Sequence, residues 1–235
     1  CEFEDETCKG KLTIAHIDQN PNNNKLDNIK VLCTSHHIRF DQPFHVTSMG
    51  TNRKKTDNSH LEEKVLLRLE TVNKIKKDKI TVLEAYAGDG KIWEEVQKRT
   101  DKKIQILKIE KKNDKKGVYL KGDNLKFIPL FDYSIYDIID FDAYGVPYHQ
   151  LETIFKNKYK GYVHVTFIQS GMGGLPNDML VDLGYTKGMI KKCRTLFCKN
   201  GLEKMKRYLA INGVNKIDGY FFDRKSYFYF KVDSY

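Results

Sequence analysis

From Ile80 onward, short apolar runs alternate with amphipathic stretches. Residues 80–88 (ITVLEAYAG), 104–110 (IQILKIE), 117–122 (GVYLKG), 136–144 (YDIIDFDAY) and 161–170 (GYVHVTFIQS) have the length and β-branched content of buried strands. Between them, 91–100 (KIWEEVQKRT) and 147–157 (PYHQLETIFKN) carry helical spacing, as does a longer region from Met189 to Ile211 with a break near Asn200–Gly201. Two aromatic-rich runs around Asp223–Ser226 predict a closing β-hairpin whose aromatics are mostly core. Upstream, Leu61, Val65, Leu66, Leu69, Val72 and Ile75 recur at helical spacing and predict a helix packed on the domain that follows. Strand–helix alternation of this kind argues for an α/β fold with a parallel sheet.

Residues 1–45 have a different texture, with three of the five cysteines and the asparagine-rich turn QNPNNNKLDN. A polar stretch with little apolar content follows. The expected organisation is a small module at 1–45, a linker at 46–60 and a larger domain at 61–235. An apolar fraction of 40% supports a real core, and the net charge of +10 favours a polyanionic partner, nucleic acid above others. An odd cysteine count, no visible signal peptide and no run of about 18 apolar residues point to a reducing, cytoplasmic setting. Cys193 and Cys198, in apolar helical surroundings, read as core cysteines.

Glu84-Ala-Tyr-Ala-Gly88-Asp-Gly90 is a strand end running into a glycine turn and a helix, an arrangement that brings backbone N–H groups close to a ligand. Trp93 stands where a dinucleotide fingerprint needs its third glycine, which argues against NAD or FAD. Glu110 ends the next strand, where a carboxylate can accept from vicinal ribose hydroxyls; Gly122-Asp123-Asn124 then offers a carboxylate and an amide to an adenine edge. With these acids in order at successive strand ends, residues 62–235 resemble the class I S-adenosylmethionine-dependent methyltransferases, a Rossmann-like seven-stranded sheet with a C-terminal hairpin. The resemblance implies S-adenosyl-L-methionine as cofactor, held by Glu84, Gly88, Gly90, Glu110 and Asp123.

Asp142-Ala-Tyr144-Gly-Val-Pro147 occupies the place of that family's fourth motif and is similar to the Asp-Pro-Tyr/Phe-Gly-Ser-Pro of tRNA guanine-N2 dimethyltransferases, departing from it at Ala143 and Val146. The resemblance implies methylation of an exocyclic amine in tRNA or DNA, with Asp142 orienting the amine and Tyr144 stacking on the base. Asp140 shares a strand face with Asp142, either as a second catalytic or metal-binding carboxylate or as a group that orients the first. Three glycines and a proline within residues 168–176 suggest an active-site loop.

Within 1–41, Ala15-His16, Asn28 and Cys33-Thr-Ser-His36-His37 resemble the ββα module of HNH endonucleases. Cys33-x-x-His36 is one half of a zinc set that Cys1 and Cys8, with six residues between them, would complete. The family's roles fall on His16 as general base, Asn28 in positioning the loop and His37 in holding a metal. Ala15 replaces the usual metal-binding neighbour of the first His, so Mg²⁺ or Mn²⁺ enters only on a nuclease reading. The expected whole is a nucleic-acid methyltransferase with a zinc-braced HNH-like module; the rivals are an HNH nuclease with a methyltransferase-like accessory domain, and a non-catalytic nucleic-acid binder.

Overall fold

The computed structural model describes residues 1–18, 20, 22–41, 59–111, 120–169, 174–193 and 199–233. The chain divides into two compact units, Cys1–Asp57 and Asn58–Tyr235. The expected linker, 46–60, lies almost wholly outside the described residues, as do Cys198 and two of the three glycines of the 168–176 loop, Gly171 and Gly173.

In the first unit, β1 (Leu12–His16) and β2 (Ile29–Cys33) form an antiparallel ladder from Leu12↔Cys33 to His16↔Ile29, and residues 34–41 continue as helix α1. Alternation along β1 turns Thr13 and Ala15 to one face and Ile14 and His16 to the other. Little is buried: among the described residues only Ala15, Leu32 and Cys33 form an apolar core.

The second unit is built on α2 (Leu61–Lys74), β3 (Lys79–Glu84), α3 (Lys91–Lys98), β4 (Lys103–Glu110), β5 (Leu120–Lys121), α4 (Asn124–Phe127), β6 (Ile138–Phe141), α5 (Tyr148–Lys156), β7 (Gly161–Ile168), α6 (Asn177–Asp182), α7 (Lys187–Lys192), α8 (Gly201–Ile211), β8 (Asp218–Phe221) and β9 (Lys225–Val232). Its seven strands lie in the order β5-β4-β3-β6-β7-β9-β8, parallel except for β9, which runs antiparallel to both neighbours. This is the α/β methyltransferase fold expected from the sequence, closing hairpin included. The strand order reverses between β3 and β6, so a crevice opens at their carboxyl ends.

Both faces of the sheet are covered. Leu83, Ile139, Phe141, Val163, Val165, Phe228 and Phe230 pack in one cluster with Leu151, Ile154 and Phe155 of α5 and Met205, Tyr208 and Leu209 of α8. On the opposite face, Ile80, Val82 and Ile138 pack with Val65 and Val72 of α2 and with Ile92, Trp93 and Val96 of α3. The expected stripe of α2 holds at five positions, since Leu61, Val65, Leu69, Val72 and Ile75 all pack on this second cluster, and it departs at Leu66. Leu66 is 43% exposed, whereas Lys64, Arg68 and Thr71 are buried. The reason lies on the sheet: the alternation that sends Ile139, Phe141, Val163 and Val165 into the first cluster turns Asp140, Asp142 and His164 toward α2, and buried charges demand partners. Two further expectations are corrected. Cys193 is exposed, because α7 ends at Lys192 and does not run on as one helix into α8. In the hairpin, Tyr227 to Phe230 are core, but Tyr220, Phe221 and Phe222 are partly exposed because β8 is the edge strand. Among the described residues, no helix is long and apolar enough to cross a membrane.

Candidate active site and candidate metal centre

β3 ends at Glu84, and the chain turns through Gly88 (φ 53°) and Gly90 (φ 71°), left-handed positions that suit glycine, into α3. The Gly88 N–H donates to Glu110 Oε2 at 2.7 Å, which ties the turn to the tip of β4. Glu110 and Asp123 both line a cleft of about 270 Å³ at the carboxyl ends of β3 and β4, together with Ala85, Tyr86, Lys111 and Gln150. Asp123 has local work as well. It caps α4 by accepting from the Leu125 N–H (3.1 Å) and pairs with Lys111 (3.1 Å), and these contacts hold its carboxyl below the usual range. The Asn124 amide, expected at an adenine edge, is committed elsewhere: it donates to the Ala85 carbonyl (2.9 Å) and accepts from Gln150 (3.0 Å).

Glu84 lies beneath the turn, and its Oε2 is buried without a hydrogen-bond partner. Burial, and then the neighbouring Asp140 carboxylate, push its carboxyl well above the usual range. An orphaned carboxyl oxygen below a positive-φ glycine turn, with a second carboxylate at the next strand tip, fits a ligand that carries donors, as the amino and ribose groups of S-adenosylmethionine do.

β6 brings its two aspartates into different company. Asp140 is fully buried, gripped by Arg68 through Nε (2.8 Å) and Nη2 (2.7 Å), and accepts from the Trp93 indole (2.8 Å). These contacts make it a structural anchor and leave it no open face for a substrate. Asp142, just past the strand end, pairs with Lys64 (2.8 Å) and accepts from the Thr166 hydroxyl. Ala143 is buried, and Tyr144 is then thrust outward, 67% exposed, over a cleft of about 190 Å³ lined by Val146, Ile168, Gln169 and Pro176. The Ile168 N–H donates to the Gly145 carbonyl (2.9 Å) and pins this tip to the end of β7.

Lys64, Arg68, Thr71 and Trp93 were not legible as site residues, because they sit at polar or isolated positions of helices. The Thr71 hydroxyl donates to the Arg68 carbonyl (2.9 Å), so it accepts from His164 Nε2 (2.9 Å); that leaves His164 Nδ1 as a bare, buried, unpartnered acceptor. Burial, reinforced by the Arg68 charge, holds this imidazole well below its ordinary pKa.

In the first unit, Cys1, Cys8, Cys33 and His36 present ligand atoms that all lie within 4.8 Å of one another. The three Sγ atoms stand 3.4, 3.5 and 3.2 Å from His36 Nδ1. A tetrahedral zinc with ordinary Zn–S and Zn–N bonds would set this edge at about 3.6 Å. The opposite ring nitrogen explains the orientation. The Thr7 hydroxyl donates to Asp5 (2.6 Å) and therefore accepts from His36 Nε2 (3.0 Å), with the Asp5 carboxylate a further 3.3 Å partner. With the proton on Nε2, Nδ1 offers its lone pair to the cluster, the carboxylate–histidine arrangement typical of metal ligands. At Cys33, burial raises the thiol pKa, but hydrogen bonds from Ser35, His36 and Lys9 outweigh it and bring it down to about 6. The donor set fits zinc.

The HNH-type residues are not gathered in this way. His37 bonds Thr13 (2.8 Å) on the helix side of β1, whereas His16 lies on the other face and bonds Asn24 (3.0 Å). Asn28 donates to Asp18 (2.9 Å) and to the Asn23 carbonyl (2.8 Å), which pins the loop. Ala15 is fully buried. Among the described residues, no second group of His, Cys, Asp or Glu is placed to hold a metal ion.

No family model and no curated protein matches the sequence. Among solved structures, the chain is similar to a protein of Listeria monocytogenes described as a class I S-adenosylmethionine-dependent methyltransferase, at 12% identity over 85% of this chain and 68% of that one, with a TM-score of 0.45. It is also similar to the CurJ carbon methyltransferase, at 12% identity over 84% and 61% with a TM-score of 0.49. A third is an O-methyltransferase family protein from Burkholderia thailandensis, at 11% identity over 90% and 80% with a TM-score of 0.38. Likenesses this distant decide neither cofactor nor acceptor, and the fold rests on the strand order itself.

Proposed function

We propose that this protein is an S-adenosylmethionine-dependent methyltransferase acting on an exocyclic amine of a base in tRNA or DNA, with a zinc-braced HNH-like module that helps to grip the substrate. The observation that carries this reading is the placement of the Gly88–Glu110 turn and the Asp142–Tyr144 tip at the carboxyl ends of adjacent strands, β3 and β6, at the switch point. S-adenosylmethionine, when bound, supplies an electrophilic methyl group. Glu110 would accept from the ribose hydroxyls and Asp123 would bind the adenine, while Gly88 and Gly90 would allow close backbone approach. Asp142, held between Lys64 and Thr166, accepts from the target amine together with the Ala143 carbonyl, which aims the nitrogen lone pair. Tyr144 supplies a stacking face worth about 1–3 kcal/mol per base. A base in a duplex has to be flipped out to reach it. Cys1, Cys8, Cys33 and His36 would hold Zn²⁺, which would brace the module.

Calorimetric titration with S-adenosylmethionine tests the cofactor. Wild type is expected to bind, and Glu110→Ala to bind at least about tenfold more weakly, the scale of lost hydrogen bonds to a charged group. No heat from wild type sinks the reading. Radiolabel transfer to tRNA and to DNA then chooses the substrate, with Tyr144→Ala expected to lower transfer to either.

A further inference from the structure

The charge of this chain is unevenly spread. Residues 187–207, between β7 and β8, hold eight Lys or Arg against a single carboxylate, Glu203; that net +7 is most of the chain's +10. Elsewhere on the second unit, surface lysines are commonly neutralised: Lys74 by Glu70, Lys98 by Glu95, Lys156 by Glu152 and Lys77 by Asp137. In this segment Lys206 pairs with Glu203, but Lys187, Lys191, Lys192 and Arg207 are exposed and none lies within ion-pair distance of a described carboxylate. Unpaired like charges repel one another, and a protein that keeps them together gains nothing in stability.

Their placement supplies a use. Lys187 and Lys191, one turn apart on α7, line a cleft of about 450 Å³ with Asn177 of α6. Pro176, the residue before Asn177, lines the Tyr144 cleft. Gln169 lines that cleft too and is shared with the next one along, which Asn200 and Arg224 border. Three recesses thus follow one another, with the exposed Tyr144 in the middle, Lys187 and Lys191 with the single carboxylate Asp178 on one side, and Arg224 with Glu203 and Asp223 on the other.

We infer that the exposed cations Lys187, Lys191, Lys192 and Arg207 belong to the surface that binds the phosphate backbone of a single-stranded nucleic acid on the flank of the base presented to Tyr144. The inference rests on the nucleic-acid reading above and adds where the strand is held. An exposed aromatic with a lysine-lined recess on one side suits a chain of phosphates carrying bases, which need stacking and charge by turns. An anionic bilayer offers charge without that alternation.

The test is fluorescence anisotropy of labelled 12-nucleotide single-stranded DNA and RNA with the full-length chain across a salt series. Two charge-matched variants are compared. One is Lys187→Ala/Lys191→Ala/Lys192→Ala/Arg207→Ala. The control is Lys76→Ala/Lys103→Ala/Lys158→Ala/Lys160→Ala, exposed positions at the amino edge of the sheet. The first is expected to lose about tenfold or more in affinity and up to about 3 units of the log–log salt slope, near 0.7 per phosphate contact removed. The control should keep the wild-type slope. Equal losses in both variants, or none in the first, overturn the surface and leave the substrate class standing. Wild type that ignores both oligonucleotides but sediments with phosphatidylserine vesicles overturns surface and substrate class together. S-adenosylmethionine titration of the same preparations reports separately on the cofactor, and unchanged binding by the first variant shows that it is folded.

Discussion

The first unit and the second face the same physical problem, holding a chain in one shape, with opposite means. In Cys1–Asp57 the described apolar core is three side chains, and the four residues that converge most closely are three thiols and an imidazole. In Asn58–Tyr235 a two-sided apolar core does most of the holding, and the polar contacts buried within it tie one helix to the acidic strand. The lesson is about dependence. On the zinc reading proposed above, a unit with so little described apolar burial would take a metal as a structural part, whereas the sheet stands on its own core and uses charge to fix register.

Removing the metal breaks the comparison most sharply if it is wrong. Structural zinc contributes about 10–16 kcal/mol of apparent binding free energy in small zinc domains, more than such a unit can replace. Chelation, or Cys33→Ser, is therefore expected to open the first unit to trypsin. The single tryptophan, Trp93, lies in the second unit and reports its urea transition alone. That transition should not move. A Trp93 midpoint that falls with chelation would show that the second unit also depends on the metal.

The two units also differed in what their sequences reveal. Residue type alone marked Cys33 and His36, since thiol and imidazole at that spacing have few other uses; the contribution of Cys1 and Cys8 was harder to read, because the turn at 2–7 that returns the chain to the cluster has no spacing signature. The strands of the sheet were legible from their apolar runs and the glycine turn from its flanking elements. The polar side of the α2 contact was not. Leu61, Val65, Leu69, Val72 and Ile75 pack on the sheet as their spacing predicts, but apolar periodicity is silent on Lys64, Arg68 and Thr71, which are buried beside them. One signal was available: two aspartates on the same face of a buried strand require two cations, and Lys64 and Arg68, four residues apart on a helix, are such a pair.

Arg68 is next in size. Arg68→Met leaves Asp140 buried without its cation, a change expected to cost about 3–5 kcal/mol in urea unfolding followed at Trp93. Arg68→Met with Asp140→Leu should recover most of that loss, because a buried pair exchanged for apolar side chains of similar volume is close to neutral. Failure of the double variant to recover would mean that the pair specifies the packing of α2 and does more than neutralise itself.

The smallest effect separates two groups whose pH dependences oppose each other. His164 is held neutral, with its pKa well below its unfolded value, so the unfolded chain takes up a proton first and stability falls as pH drops below about 6.5. Glu84 is held protonated, with its pKa well above the 4.5 of the free group, so the folded chain keeps a proton that the unfolded chain loses and stability falls as pH rises from there. Between about pH 5 and 6.5 each contributes a slope of up to about 1.4 kcal/mol per pH unit, with opposite signs. The wild-type profile is accordingly expected to be shallow. Glu84→Gln exposes the histidine and should make the protein lose stability toward pH 5, while His164→Gln exposes the glutamate and should make it gain stability over the same range. Thermal melts of the two variants at half-unit intervals are expected to cross. Parallel profiles would mean that neither group differs in protonation between the folded and unfolded chain, and the buried charges of the second unit would then be as indifferent to pH as its apolar core.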